Sequence, residues 1–522
     1  MKILFVWPNK DSFGYKPISL SLFSAIAKES GFQTRLFDTT TIDFGFGVAN
    51  EFIEAAKIVK PIDLTPYELK KKRIDLRDSF KKTLDEYKPD LLACSVLSDE
   101  YFIATEISKI SKEISPSVPI IWGGKYATLN PEKTLREHFA DYVCIGEGLD
   151  AFVDFTRALN ENKDVSNIPN IWAKSSSRII KNTIRPLRRN LDNLPYVDWS
   201  IFDKRHFYKP FDGTMYLSAG DHMLNWGCPY RCTYCINDFY HKFYHDKYFM
   251  RRYSTQRIIA ELKYLKEKYN LDFFKFHDED FLMRPVENLC ELSQAYKEAI
   301  SIPFTIETNP KSVTPKKVKL LKDMNCVSVS LAIETGDPAL RKNLLKRVDT
   351  EAEVIRAFTL FKEAGIRTVS FNMLGIPFES RSTYEKTIQL NRKAKVQYPD
   401  MGFFYPFEGT LLREISIRGG FFNPTGDKRD VYHRDKPQLH FAKIRGSELI
   451  EMRNAFVLYV KLPRSYHSFI KRSEKQDGVG VKLRKKILTV YDKTVWENSG
   501  WYKDDGLKNR YLQELKDIVS RK

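Results

Sequence analysis

Cys228, Cys232 and Cys235 stand within N-W-G-C-P-Y-R-C-T-Y-C-I-N-D, residues 225–238. Their C-x3-C-x2-C spacing gathers three thiols in one short loop, an arrangement suited to metal. Four thiolates close the coordination of a structural zinc or an iron–sulfur cluster. Three leave a position open, and an open position is where chemistry happens. His241 and His245 follow closely, so spacing alone also admits a three-Cys, one-His zinc site. A buried, unliganded trio of thiols is the third reading.

Further polar residues stand at the ends of apolar runs. F-K-F-H-D-E-D-F (274–281) places His277, Asp278, Glu279 and Asp280 after one. Acids so close raise one another's pKa unless a cation sits among them, and a solvated acidic turn is the plainer alternative. Near the N-terminus, Ser95, Leu97, Gly123, Gly124, Gly146 and Gly148 also follow apolar runs. The paired glycines at 123 and 124 allow close backbone approach to a ligand, or form an ordinary strand-to-helix turn.

The elements that position these residues follow from periodicity. Residues 1–160 read as a doubly wound parallel sheet. Strands are expected at Ile3–Trp7, Thr34–Phe37, Asp90–Val96, Val118–Trp122 and Tyr142–Ile145. Helices are expected at Ile18–Ser30, within 45–88, and at 101–114. Residues 161–215, with their Pro-marked turns, read as a linker. A second alternation over 216–415 reads as a partial (β/α)6 barrel, with strands at 216–219, 272–277, 303–307, 327–333, 367–373 and 402–405. Residues 416–522 read as basic and helical, a solvated cap over the barrel mouth.

Composition bounds the function. The chain has 522 residues, 42% of them hydrophobic, enough for two or three domains with packed cores. Seven unevenly placed cysteines do not make a disulfide scaffold. The apolar run Ile3–Trp7 is too short for a signal-peptide core, and no stretch approaches the roughly 20 residues of a membrane span. These features lead us to expect a cytoplasmic protein with reduced thiols. The net charge of +18 suits anionic company or a basic solvated face. A dense aromatic-basic patch of the single-strand-binding kind is absent, which argues against nucleic acid.

Taken together, the cysteine motif with Tyr234 before its last member resembles the radical S-adenosylmethionine superfamily. The resemblance implies that Cys228, Cys232 and Cys235 hold a 4Fe-4S cluster whose open iron chelates S-adenosylmethionine. It implies that Asp278 and Glu279 meet the methionine amino group and that Tyr234 lies near adenine. S-L-A-I-E-T-G (330–336) resembles the motif whose acid, here Glu334, meets the ribose. N-M-L-G-I-P (372–377) resembles the motif that puts Asn372 and Gly375 near adenosine. F-F-Y-P-F-E-G-T (403–410) is similar to the family's last-strand segment beside the substrate.

Residues 1 to about 415 resemble the subgroup with a cobalamin-binding domain, on A-C-S-V-L-S (93–98), I-W-G-G-K-Y-A-T-L-N-P-E (121–132), D-Y-V-C-I-G-E-G (141–148) and the linker 185–199. That resemblance implies a cobalamin site lined by Ser95, Leu97, Gly123, Gly124 and Gly146. The Asp-x-His-x-x-Gly motif that supplies a cobalt ligand elsewhere is absent. Tyr126 stands where many relatives have His, and Leu149 where an acid is common.

The function expected is cobalamin-dependent methyl transfer to an unactivated carbon. Radical oxidation, cyclisation or rearrangement is the alternative, and a non-catalytic zinc-stabilised binding protein the third reading. The partners expected are a small-molecule, anionic substrate and an electron donor such as flavodoxin or ferredoxin.

Overall fold

The computed structural model describes residues 1–520 apart from 12, 46–59, 176–177, 246–248, 425–435 and 505. The first sheet has seven strands in the order β2-β1-β3-β4-β5-β6-β7. They are β1 (Lys2–Trp7), β2 (Gln33–Asp38), β3 (Leu91–Ser95), β4 (Ile120–Gly123), β5 (Tyr142–Cys144), β6 (Ile171–Lys174) and β7 (Ile179–Ile180). Pairing is parallel from β2 to β5, as the alternation predicts, and antiparallel for β6 and β7. These last two strands lie inside the expected linker, so the first sheet continues past residue 160. They are too short to carry a period-two signal.

The rest of the linker is not a loose connector either. Leu191, Leu194, Val197 and Trp199 are buried in the same apolar cluster as Phe5 and Ile121 of the first sheet and Phe274 and Leu289 of the second domain. Each such side chain contributes roughly 1.5–3 kcal/mol by leaving water. Of the helices expected within 45–88, Leu76–Tyr87 is present. Residues 46–59 lie outside the described residues.

The second sheet has six parallel strands in chain order. They are β8 (Ala219–His222), β9 (Phe273–Phe276), β10 (Phe304–Thr308), β11 (Cys326–Glu334), β12 (Arg367–Leu374) and β13 (Tyr398–Phe403). All six lie within a few residues of expectation. The first starts three residues late because Thr214–Tyr216 instead forms a hairpin ribbon with Lys209–Phe211.

Alternation assigns the faces of each strand. In β11, Val329, Leu331 and Ile333 are fully buried towards the surrounding helices, whereas Ser330 and Ala332 are half-buried on the lumen side. The helices between are well capped. Thr350 and Glu353 form a reciprocal capping box at the start of Glu351–Glu363.

The C-terminal region is helical as expected; Leu439 and Phe441 join the cluster of Tyr234 and Met373, while the helices from Gly446 onward pack on the edge of the second sheet. Leu449, Phe456, Leu458 and Ile487 pack with Tyr384, Ile388 and Met401 in one core cluster. The helices therefore cover β13, the last strand of an open sheet, whose bare edge would otherwise invite aberrant pairing.

Candidate active site

The cysteine loop leaves β8 and runs into the helix Ile236–Tyr244, whose N-cap is Cys235. Cys228 and Cys232 are buried and Cys235 is half-buried, and all three are free thiols. Burial pushes them all upward, Cys235 to about 11. A metal's positive charge is then what holds them as thiolates. They lie close enough to act on one another, Cys235 on Cys228 and Cys232 on Cys235.

The zinc alternative is not assembled. His241 Nε2 is taken up by the Cys228 carbonyl at 2.8 Å. Among the described residues, no three His, Cys, Asp or Glu side chains are placed to hold a single metal ion. A cluster has a different requirement, since each thiolate meets its own iron. Three free thiols with no fourth partner fit a cluster with one open iron.

Tyr234 turns toward β11. Its hydroxyl donates to Glu334 Oε1 at 3.0 Å and accepts from Arg347 Nη1 at 3.1 Å. Glu334 ends β11 at φ +65°, where the pairing with β12 shifts register. That irregularity re-aims a buried carboxylate out of the strand. Burial pushes the Glu334 carboxyl up, and the Arg347 guanidinium works against that shift. Arg347 also donates to the Ala332 carbonyl at 2.8 Å and pairs with Asp349 at 2.7 Å. Sequence reasoning missed Arg347, because a lone Arg in L-K-R-V-D-T carries no signal.

The acidic run divides. Asp278 is 1% exposed, and its two oxygens accept the backbone N–H groups of Leu224 and Asn225 at 3.0 and 2.7 Å. It fixes the entry to the cysteine loop and is not aimed at a ligand. Asp280 is equally buried, held by the hydroxyls of Thr308 and Ser312. Only Glu279 is exposed, held lightly by Asn237 Nδ2 at 3.1 Å and close enough to raise the Cys235 thiol.

Asn372 also departs from expectation. It shares the outer face of β12 with Ser370 and Leu374. Its amide nitrogen donates to Ser370 Oγ and the Asp400 carbonyl, and its oxygen accepts from Asn391. The neighbour turned toward the site is Met373, packed in the cluster that includes Tyr234. Gly375, at φ +77°, turns the chain out of β12.

In the first domain, an apolar cavity of about 310 Å³ opens at the carboxyl ends of the strands. Ser95, Gly123, Gly124 and Gly146 line it; Leu97 does not, being exposed on the next loop. Phe23, Leu149 and Phe152 form its apolar wall, and Met223 and Trp226 close it from the barrel side. A small aromatic group bearing a nucleotide tail fits such a slot. Tyr126 is turned away from it, its hydroxyl 2.9 Å from His138 Nε2 and its ring stacked on Tyr101.

The two domains are clamped beside this cavity. Arg251 forks onto Glu147 at 3.0 and 2.7 Å, and the Tyr244 hydroxyl accepts from Glu147 N. Arg251→Ala would leave the Glu147 carboxylate without its cation, costing about 3 kcal/mol. We expect a lower urea midpoint at unchanged secondary structure; an unchanged midpoint would mean that the shared core alone joins the domains.

With this geometry in hand, comparison with known proteins is direct. The profile of the Radical SAM superfamily matches residues 226–390, and that of the B12 binding domain matches residues 13–156. The chain therefore carries a radical S-adenosylmethionine domain preceded by a B12-binding domain. It is 25% identical over 402 residues to an uncharacterised methyltransferase of Pyrococcus horikoshii, covering 74% of this chain and 84% of that protein. It is 21% identical to the anaerobic magnesium-protoporphyrin IX monomethyl ester cyclase of Rubrivivax gelatinosus, over 84% of this chain and 72% of that one. Its fold is similar to that of the radical S-adenosylmethionine methyltransferase TsrM from Kitasatospora setae with cobalamin and a [4Fe-4S] cluster bound, at a TM-score of 0.60, 15% identity, and 81% and 79% coverage. No described helix is long and apolar enough to cross a membrane.

Proposed function

We propose that this protein catalyses cobalamin-dependent methyl transfer to an unactivated carbon of a small molecule. The observation that carries this reading is one juxtaposition. The cavity at the edge of the first sheet is closed by Met223 and Trp226, which flank the start of the cysteine loop. From the other side Lys125, next to Gly124, is near enough to lower the Cys235 thiol. The two candidate cofactor sites are thus neighbours. When bound, the cluster and S-adenosylmethionine supply a 5′-deoxyadenosyl radical, and the cobalamin supplies a transferable methyl group.

The chain's own residues bind, orient and shield. Cys228, Cys232 and Cys235 hold the cluster. Glu279 is the carboxylate free to meet an ammonium, while Asp278 positions the cysteine loop. Glu334, set by Tyr234 and Arg347, is placed to accept from ribose hydroxyls. Ser95, Gly123, Gly124 and Gly146 hold the cobalamin tail. Asn372 braces β12, and Gly375 shapes the turn after it. Reduction comes from an electron donor such as flavodoxin or ferredoxin.

The test is anaerobic reconstitution with iron, sulfide and hydroxocobalamin, then incubation with methyl-labelled S-adenosylmethionine and candidate substrates. Cobalamin retained through desalting and label transferred to product support methyl transfer. Retained cobalamin and 5′-deoxyadenosine formation without label transfer would overturn it in favour of another radical reaction such as ring closure; the Rubrivivax relative is named a cyclase. Glu334→Gln is expected to weaken S-adenosylmethionine binding about tenfold, read by equilibrium dialysis on the cluster-loaded protein.

A further inference from the structure

The lumen wall formed by β8, β9 and β10 is charged, and its charges do not balance. Alternation turns Asp221, Lys275 and Glu307 inward, and His277 follows at the end of β9. Lys209 reaches the same place from its ribbon, and Lys16 from the loop after β1.

Lys16 is fully buried and fully used. It donates to Asp221 Oδ2 at 3.0 Å and to the carbonyls of Ala219 and His206. That ammonium neutralises Asp221, which also binds His277 Nε2 at 2.8 Å. Lys209 therefore meets a carboxylate already satisfied, and meets it only at 4.0 Å. Among the described residues, its one close acceptor is the Gly14 carbonyl. Lys275 has only a loose contact with Glu307, at 3.6 Å.

Three lysines thus face two carboxylates, and the two loosely held ammonium groups lie on one wall. Burial pushes Lys209 down to about 8 against the pull of Asp221, and the Lys275 and Lys16 charges add to the fall. The Arg367–Asp212 pair nearby is self-neutralising. The wall is also reachable, since the side chains of Lys209, His277, Lys275 and Glu307 are 21%, 19%, 30% and 42% exposed. Tyr15 adds its ring 5.0 Å from that of His277.

We propose that this wall is the substrate's anion subsite, where Lys209 and Lys275 hold a carboxylate or phosphate group beside His277. This deepens the proposed function and rests on its placing of the radical chemistry at the barrel's upper end. Glu279, two residues beyond His277, neighbours Cys235. An oxyanion held by the lysines leaves the rest of the substrate extending toward the cluster loop. The substrate class is then a small carboxylate or phosphate ester, and a neutral or cationic small molecule is excluded.

The test uses the cluster-loaded protein and two probes, inorganic pyrophosphate and citrate, in isothermal titration at constant ionic strength. Wild type should bind at least one probe saturably, and which one it prefers separates a phosphate from a carboxylate subsite. Lys209→Gln and Lys275→Gln should each weaken that binding at least about tenfold. Lys275→Arg should retain it, and the surface variant Lys482→Gln should match wild type. Absence of saturable binding of both probes overturns the proposal. So does undiminished binding in both Gln variants, which would place the anion elsewhere on a chain of net charge +18. If Lys209→Gln does not fold, the half-exposed Lys275 decides alone. Iron content and 5′-deoxyadenosine formation are measured on the same samples. A wild type that binds the probe yet forms no 5′-deoxyadenosine would sink the proposed function and leave the subsite standing.

Discussion

Cys232→Ala is expected to take the reconstituted protein from about four irons per chain to near zero and 5′-deoxyadenosine formation to background. The thiol in question is buried beside Tyr234 and Arg347. Alanine leaves two thiolates for a cluster that needs three, and the described residues offer no substitute ligand in the loop. His241 is held by the Cys228 carbonyl. Cys290→Ala is the control, because Cys290 lies on the helix Val286–Ala299, away from the motif. It should keep its iron. Metal analysis and the absorbance near 400 nm, about the range of iron–sulfur charge transfer, read both variants. Iron retained in Cys232→Ala, or one zinc per wild-type chain, would refute the assignment. Folding should survive the change: removing one thiol costs about 1–2 kcal/mol, small beside the stability of a core this size.

What the sequence conveys, and where it fails, follows from the same physics. Parallel strands flanked by helices are apolar runs, and runs are easy to see; hence the six barrel strands and most of the first sheet were legible. The faces of those strands were not. In S-F-N-M-L (370–374) apolar residues fall on both faces, so the sequence pattern does not say which residue looks inward. Asn372, chosen for its chemistry, braces the outer face, and Met373 faces the site. Asp278 failed for a related reason. A carboxylate that caps two backbone N–H groups reads, in sequence, the same as one awaiting a ligand. Glu334 is in phase with Ser330 and Ala332, so alternation alone puts it on their side of the strand. The groups joined across long chain separations, such as Lys16 with Asp221 and Glu147 with Arg251, have no local signature at all.

The two glycines of the first domain lead to the second large effect, and they should behave differently. Gly124→Ala is expected to abolish cobalamin retention. Gly124 sits at φ +92°, and an added Cβ would stand 2.7 Å from the Val96 carbonyl oxygen and 2.9 Å from Val96 N. Both are backbone atoms of the loop after β3, which cannot yield without moving Ser95 and the cavity wall. The backbone conformation alone costs about 1–3 kcal/mol for a residue with a side chain, before the clash is counted. Gly146 is different. Its Cβ would meet the Tyr244 hydroxyl at 2.6 Å, with the Phe243 and Tyr244 rings next at 3.1 and 3.3 Å. That obstacle is the tip of a side chain. Gly146→Ala should therefore lose most retained cobalamin, and Gly146→Ala with Tyr244→Phe should recover part of it. Recovery stays incomplete because Tyr244→Phe forfeits the bond to Glu147 N and alanine still pays for φ +73°. No second change should rescue Gly124→Ala. Cobalamin bound per chain after desalting reads all four proteins, and iron per chain confirms that the barrel is intact. Equal rescue at both positions, or retention in Gly124→Ala, would remove the cavity from the cobalamin site and return the first domain to the role of a substrate or structural module.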